Sequence, residues 1–185
     1  MRVLGISGSL RRDSHNTELL RAAATLLPSG VEFELYDGLR DIPPYDDDVN
    51  HADFPAVADL KERIARADAV LFATPEYNHS IPGQLKNALD WVSRPLADTP
   101  LKGKPVAVIG ASTGMFGAVW AQAELRKVLG AIGAKVIDRE LPVPMADEIV
   151  RDREKLESSG THSLIVGILA ELLEAASPAE AAAAA

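Results

Sequence analysis

Residues 3–20 read VLGISGSLRRDSHNTELL, and this stretch decides the fold. A short apolar run at 3–6 is typical of a β-strand, and it ends in Ser-Gly-Ser at 7–9. A polar loop follows, and a helical pattern begins at Asn16 or Thr17. Free backbone N–H groups and the positive end of a helix dipole converge where such a loop meets its helix. The stretch therefore predicts an anion site.

The side chains of this loop favour a terminal monophosphate. Arg11 can bind phosphate oxygens in bidentate fashion. The loop has neither the G-x-G-x-x-G pattern of dinucleotide sites nor the G-x-x-x-x-G-K-[ST] pattern of triphosphate loops. FMN is the common cofactor with one terminal phosphate, although an ordinary strand-to-helix turn with an Asn N-cap is the alternative. The other candidate donors are Ser9, Ser14, Asn16 and Thr17.

The composition excludes several classes of function. The 185-residue chain has 19 basic and 27 acidic side chains, a net charge of −8, which disfavours nucleic acid as a partner. The absence of cysteine excludes disulfides, cysteine-ligated zinc and thiol catalysis. The sequence shows no N-terminal basic segment followed by an apolar stretch, and no apolar run of membrane-spanning length. We therefore expect a cytoplasmic protein without a membrane partner.

Strand and helix patterns alternate through the rest of the chain. The continuous apolar runs at 69–74 and 105–110 predict central parallel strands, whereas the alternation at 31–36 predicts an edge strand. Five strands and five helices indicate an α/β fold, a doubly wound five-stranded parallel sheet with helices on both faces. We expect one domain at 1–176 and a frayed Ala-rich tail at 177–185. The other predicted elements are a strand at 134–137, helices at 16–27, 56–67, 84–93, 118–129 and 164–175, and an irregular segment at 141–154.

Three unusual loops leave the carboxyl ends of the predicted strands. The first is the phosphate loop, the second is residues 75–83, and the third is residues 111–117. In a doubly wound sheet such loops converge at the switch point, where ligands bind. Backbone N–H groups of the second and third loops could meet the polar edge of a flavin ring. The convergence predicts one crevice that holds a flavin.

Side chains near these loops leave alternatives open. Tyr77 either lies beside the flavin or packs on a neighbouring helix. His79 is either a proton donor or, more often in such positions, a polar residue before a helix, and Glu76 and Asn78 alternatively shape the turn. The three aspartates at 46–48 suggest a metal site, but a solvated loop explains them better because no ordered ligand spacing accompanies them.

The segments GSLRRDSHN, ATPEYNHSIPGQLKNALDW and GASTGMFGAVWAQ together resemble the NADPH-dependent FMN reductase family, in its chromate/quinone and azo-dye reductase branch. The resemblance implies a flavodoxin-like fold, noncovalent FMN, NADPH or NADH as reductant, and a homodimer or dimer of dimers. It also implies that the helix at 84–91 forms the dimer contact. By this resemblance the phosphate site is Ser9, Arg11, Ser14, Asn16 and Thr17, the ring is flanked by Pro75, Glu76, Tyr77 and Asn78, and its far edge is bordered by Ser112, Thr113, Gly114 and Phe116.

The resemblance also implies the reaction. We expect an FMN-dependent NAD(P)H oxidoreductase that reduces quinones, azo dyes, free flavin or similar small acceptors by ping-pong hydride transfer, with no side chain as an indispensable acid or base. Chromate-reducing members of the family often have an arginine where this chain has Trp120. An exposed tryptophan would favour flat organic acceptors over oxyanions, and the alternative is that Trp120 packs in the core. A flavodoxin-type electron carrier and a non-enzymatic flavin-binding regulatory protein remain the alternatives.

Overall fold

Parallel strands form the centre of the fold in a computed structural model that describes residues 1–177. Every residue of the two longest apolar runs, at 69–74 and 105–111, is buried. Such runs form central strands because both of their faces are covered. The strands are β1 (Arg2–Ser7), β2 (Glu32–Tyr36), β3 (Ala69–Thr74), β4 (Pro105–Ala111), β5 (Lys135–Val136) and β6 (Pro142–Val143).

The strand order is β2-β1-β3-β4-β5, with β6 also paired to β4. All pairings are parallel, and the register places Ile6 opposite Phe72 and Phe72 opposite Val108. The predicted doubly wound parallel sheet is thus confirmed, and so is the edge position of β2. The order reverses between β1 and β3, so the switch point of the sheet lies at the ends of these two strands.

Helices cover both faces of the sheet. They are α1 (His15–Thr25), α2 (Pro55–Arg66), α3 (Gly83–Val92), α4 (Val119–Ile132), α5 (Ala146–Ile149), α6 (Arg153–Ser158) and α7 (Thr161–Ala175). Strand residues alternate between two cores: Ile6 and Phe72 pack with α2, α3 and α4, whereas Val3 and Leu71 pack with α1 and α7. This period-two alternation is the geometric consequence of the pleat.

The prediction of an irregular segment at 141–154 was wrong. This segment contains β6, α5 and the start of α6. Its prolines are compatible with a strand because β4 supplies the donors: Gly110 N–H donates to the Leu141 carbonyl and Ser112 N–H to the Val143 carbonyl, both at 3.1 Å. Pro142 has no N–H to donate, but the bonds to β4 use the carbonyls on either side of it, so the pairing does not need that N–H.

Helix α3, which was expected to form the dimer contact, has its apolar residues buried within its own chain. Trp91 is 1% exposed, and its Nε1 donates to the Pro43 carbonyl at 2.9 Å. The Trp91 ring also meets Tyr45 edge-on, at 5.0 Å between centroids. On the outer face, Lys86 and Asp90 form an ion pair at 2.7 Å. The Trp91 side chain is therefore part of the core of its own chain.

Three further expectations concern regions away from the sheet. The tail predicted at 177–185 lies outside the described residues apart from Ser177, whose N–H donates to the Glu174 carbonyl at 3.0 Å. None of the helices within residues 1–177 is long and apolar enough to cross a membrane. In the same range, no three His, Asp or Glu side chains, those at 46–48 included, are grouped to hold a metal ion.

Candidate functional site

The carboxyl ends of β1, β3 and β4 border a cleft with a cavity volume of about 120 Å³. The three loops singled out in the sequence all reach this cleft, as the position of the switch point requires. Its lining residues are Ser9, Arg11, Ser14, His15, Asn16, Pro75, Glu76, Tyr77, Ala111, Ser112 and Thr113.

The first loop forms a helix N-terminus by local means. Ser14 is the N-cap of α1, and its side-chain oxygen accepts from the Thr17 N–H at 3.2 Å. Ser9 accepts from the Arg11 N–H at 3.4 Å, which folds the loop back on itself. The N–H groups at the start of a helix have no carbonyl partner within the helix. The loop therefore presents backbone donors, hydroxyls and the exposed Arg11 guanidinium to the cleft.

Asn16 connects this loop to the end of β4. Its side-chain amide donates to the Ala111 carbonyl and its side-chain oxygen accepts from the Ala111 N–H, both at 2.9 Å. Asn16 is 3% exposed, so the pair is shielded from water. The Thr17 hydroxyl is also engaged, since it donates to the Ser7 hydroxyl at 2.9 Å. The Asn16 side chain therefore fixes the geometry of the cleft, and it uses only one of its two amide N–H donors to do so.

The second loop contains a tight two-residue turn. Tyr77 and Ser80 exchange two backbone hydrogen bonds of 3.1 Å, and the intervening Asn78 and His79 have φ values of 54° and 61°. Positive φ at both central positions defines a type I′ turn, in which asparagine is favoured. The residue type at Asn78 is thus explained by the turn, and Asn78 does not line the cavity.

The Glu76 side chain points away from the type I′ turn and towards α4. Its Oε2 accepts from the N–H groups of Trp120 and Ala121 at 3.1 and 3.2 Å. Its side chain is 13% exposed, and its Oε1 lies 3.6 Å from the His79 Nδ1. Glu76 is the one carboxylate among the described lining residues, and the helix N–H groups offset its charge.

The third loop has a close backbone contact that only glycine permits. Gly117 has a φ of 57°, and a Cβ there would lie 2.5 Å from the Pro142 carbonyl carbon and the Val143 nitrogen. The Gln122 amide donates to the Gly117 carbonyl at 3.1 Å. Ser112 accepts from the Gly114 N–H at 3.1 Å, which tightens the start of the loop. The third loop is therefore pressed against β6 and held there from α4.

An aromatic cluster lies beyond the third loop. Trp120 has its ring centroid 4.8 Å from that of His79 and 4.9 Å from that of Phe116, both edge-on. Phe116 is 59% exposed and Trp120 is 42% exposed. The alternative of Trp120 as a core residue is therefore wrong. The cluster of His79, Phe116 and Trp120, called the aromatic cluster below, is an accessible apolar surface.

His15 is a lining residue that sequence reasoning missed. Its Nδ1 is buried and has no hydrogen-bond partner among the described residues. Burial, with smaller effects from the charges of Arg151 and Arg11, lowers the pKa of His15 below its ordinary value of 6.5. Its position immediately after the N-cap serine was a usable signal, because such a residue faces whatever the helix N-terminus binds.

The structure gathers most of the predicted site residues. Nine of them line the cleft: Ser9, Arg11, Ser14, Asn16, Pro75, Glu76, Tyr77, Ser112 and Thr113. The other four do not line the cavity: Thr17 lies in α1, and Asn78, Gly114 and Phe116 lie on the second and third loops. Ala111 lines it as well and was missed, because a buried strand residue has no chemical signal in the sequence.

The donor set fits the phosphate of FMN. The cleft joins a helix N-terminus, serine hydroxyls and Arg11, and it includes a buried His15 nitrogen that lacks a partner. Such donors suit an anion. The enclosed volume of about 120 Å³ is below the roughly 300 Å³ of whole-cofactor pockets, so the enclosed part fits the phosphate end.

Comparisons with known proteins identify the family of this chain. The sequence model of the NADPH-dependent FMN reductase family matches residues 1–148. An NAD(P)H-dependent FMN reductase of Pseudomonas aeruginosa is 52% identical over 130 residues, 70% of this chain and 69% of that protein. A quinone reductase of Escherichia coli is 42% identical over 141 residues, 75% of this chain and 74% of that protein.

Solved structures show the same fold. The flavoenzyme NAD(P)H:(acceptor) oxidoreductase FerB of Paracoccus denitrificans has a TM-score of 0.76 and 39% identity, and the match covers 92% of this chain and 97% of that one. The expected flavodoxin-like fold and the class of FMN-dependent NAD(P)H oxidoreductase are thereby confirmed. The chain belongs to the NADPH-dependent FMN reductase family.

Proposed function

We propose that this protein uses NAD(P)H to reduce quinones and similarly flat organic acceptors, with FMN bound at the cleft of the three loops. The observation that carries the proposal is the convergence of an anion cradle and two donor-bearing loops at one switch point. Quinone acceptors are supported by the 42% identical quinone reductase and by a 48% identical 2-hydroxy-1,4-benzoquinone reductase of a Burkholderia species.

The residues divide by the part of FMN that they would hold. For the phosphate, Ser9, Arg11 and Ser14 offer direct donors, whereas Asn16 and Thr17 act through the positions of Ala111 and Ser7. For the ring, the second loop offers the rigid edge set by its type I′ turn, and the third offers the backbone at Ser112–Gly114. The residues proposed beside the ring are Pro75, Glu76, Tyr77 and Asn78 on one side and Ser112, Thr113, Gly114 and Phe116 on the other.

FMN, when bound, supplies the hydride-transfer chemistry, so the chain's own task is to bind and orient the two substrates. The aromatic cluster supplies an apolar surface beside the cleft, on which a flat ring can stack. Trp120 stands where chromate-reducing relatives often have an arginine, so the cluster favours neutral aromatic acceptors over oxyanions. The reductant and the acceptor bind in turn at the open side of the cleft, next to the aromatic cluster. We therefore expect ping-pong kinetics.

We propose a homodimer, or a dimer of dimers, that forms through the surface next to the aromatic cluster and leaves the cluster itself open to the acceptor. Large apolar side chains are exposed there, with Met115 77% and Met145 47% exposed. A group of exposed apolar side chains commonly marks an interaction surface. Light scattering at micromolar protein concentration measures the mass of the assembly, and Met115→Glu should shift that mass towards the monomer if this surface is the interface.

We also propose a cytoplasmic location, because NAD(P)H is the reductant.

The decisive experiment is the visible absorption spectrum of the purified protein under anaerobic conditions, before and after one equivalent of NADPH. Bound flavin whose absorption bleaches on mixing, and returns on addition of 1,4-benzoquinone, supports the proposal. Flavin that binds and stays oxidised favours the carrier or regulatory alternatives. A protein that binds no flavin after reconstitution with excess FMN contradicts the proposal.

A further inference from the structure

Helix α4 begins without a capping side chain of its own. The residue at its N-cap position, Ala118, is in the left-handed conformation at φ 63° and ψ 33°, and no side chain of the N-cap residue bonds to the helix. Gly117 before it is also left-handed, at φ 57°. The first N–H groups of a helix need acceptors from elsewhere when the N-cap residue offers none. Helix α4 therefore depends on another part of the chain for its start.

Glu76 supplies that acceptor from the second loop. One carboxylate oxygen accepts from the N–H groups of both Trp120 and Ala121, residues that are 44 and 45 positions away in the sequence. The negative charge also lies at the positive end of the α4 dipole. A second contact joins the same loop and helix, since the Ser80 hydroxyl donates to Glu124. The carboxylate of Glu76 thus replaces the missing cap.

The position of Trp120 follows from this cap. Its own N–H is one of the two that Glu76 binds, and its ring is held between His79 and Phe116. His79 in turn lies 3.6 Å from the other Glu76 oxygen. Loss of the cap would free the first turn of α4, and with it the backbone that carries the Trp120 ring.

We propose that Glu76 is a positioning residue: by capping α4 from the second loop, it sets the orientation of Trp120 and the aromatic cluster at the mouth of the cleft. The proposal rests on the proposed function only in that this cluster faces the acceptor. The carboxylate acts as a hydrogen-bond acceptor in this role and exchanges no proton. A glutamine, whose side-chain oxygen accepts in the same place, should therefore substitute for it, whereas a methionine of similar size should not.

The test is ¹⁹F NMR of the FMN-loaded protein labelled with 5-fluorotryptophan. The chain has two tryptophans, and buried Trp91 serves as an internal reference for an intact core. We expect Glu76→Met to shift or broaden the Trp120 resonance beyond its linewidth while that of Trp91 stays in place. Glu76→Gln should keep the Trp120 resonance within a linewidth of its original position. Glu124→Met, which removes the other contact between the loop and α4, is the matched control and should also keep it.

Two outcomes would overturn the proposal. A Trp120 resonance unchanged in Glu76→Met shows that the cap does not position the ring, and equal displacement in Glu76→Gln and Glu76→Met shows that the charge, not the cap, matters. As a second readout, the KM for 1,4-benzoquinone should rise about tenfold in Glu76→Met and much less in Glu76→Gln, on the scale of a lost N-cap. A protein that reduces no quinone contradicts the proposed function alone, because the ¹⁹F result does not require an acceptor.

Discussion

The first and third loops of the cleft border the same cavity but obtain their shapes in different ways. The first takes its helix cap from its own neighbours in sequence, since Ser14 accepts from the Thr17 N–H, and Ser9 accepts from the Arg11 N–H. The third is held from outside. Gly117 is pressed against β6, and Glu76 on the second loop caps the helix that follows.

The difference shows which contacts set the shape of each loop. A local cap forms together with its own helix, so the cap that Ser14 provides needs no contact from the rest of the fold. The third loop keeps its shape only while β6, α4 and the second loop are all packed in place. Substitutions in the third loop should therefore reduce both stability and cofactor binding, whereas those in the first loop should mostly affect phosphate binding.

Of the substitutions considered, Gly117→Ala should lower the free energy of unfolding most. A small effect would show that the third loop does not depend on its contact with β6. The added Cβ would lie 2.5 Å from the backbone of β6, at a residue with a φ of 57°. We expect a loss of about 3 kcal/mol in the free energy of unfolding, from overlap and backbone strain together. Urea denaturation measures it. Gly114→Ala is the matched control, since its Cβ would meet only the Ser112 hydroxyl at 3.5 Å, and a similar loss in both variants would contradict the account.

This contrast also explains which features the sequence could predict. The strand-loop-helix pattern at 3–20 and the apolar runs of β3 and β4 depend on neighbouring residues, and they were predicted correctly. The short strand β6 was missed, because it exists only through the carbonyls of Leu141 and Val143 that accept from β4. The cap that Glu76 provides was missed for the same reason, since its partners lie more than 40 residues away.

Asn16→Leu tests one of the places where the first loop relies on a distant partner. The change removes both 2.9 Å hydrogen bonds to Ala111 and leaves a buried N–H and carbonyl without partners. We expect the free energy of unfolding to fall by about 2 kcal/mol. Thr17→Val removes only the bond to Ser7 and should cost about half as much. Equal and small losses in calorimetry would contradict this structural role of Asn16.

Arg11→Ala should weaken FMN binding with little effect on stability. The guanidinium is exposed at the cleft and has no side-chain partner among the described residues, so its removal leaves the fold intact. A lost charged hydrogen bond of about 2 kcal/mol corresponds to a Kd about 30 times higher. Fluorescence titration with FMN and with riboflavin, which lacks the phosphate, measures the change. Riboflavin binding should be unaltered, and Arg12→Ala, which does not line the cleft, should leave both unaltered.

His15 should make the smallest contribution, which is visible only in the pH dependence of stability. Burial first, then the charges of Arg151 and Arg11, lower its pKa in the folded protein, whereas Asp147 and Glu18 oppose them. The unfolded chain therefore takes up this proton more readily, so unfolding becomes easier as the pH falls through the ordinary value of 6.5 and below. Above that range His15 is neutral in both states and has no effect.

His15→Gln should remove this dependence, so urea midpoints of the two proteins should differ more at about pH 5.5 than at about pH 8, with the original protein losing more on acidification. Arg151→Gln keeps the histidine but removes one of the charges that lower its pKa, so its loss on acidification should fall between the other two. Parallel pH profiles for all three proteins would contradict this account. An intermediate Arg151→Gln profile would show that even the locally encoded loop is tuned by a residue far along the chain.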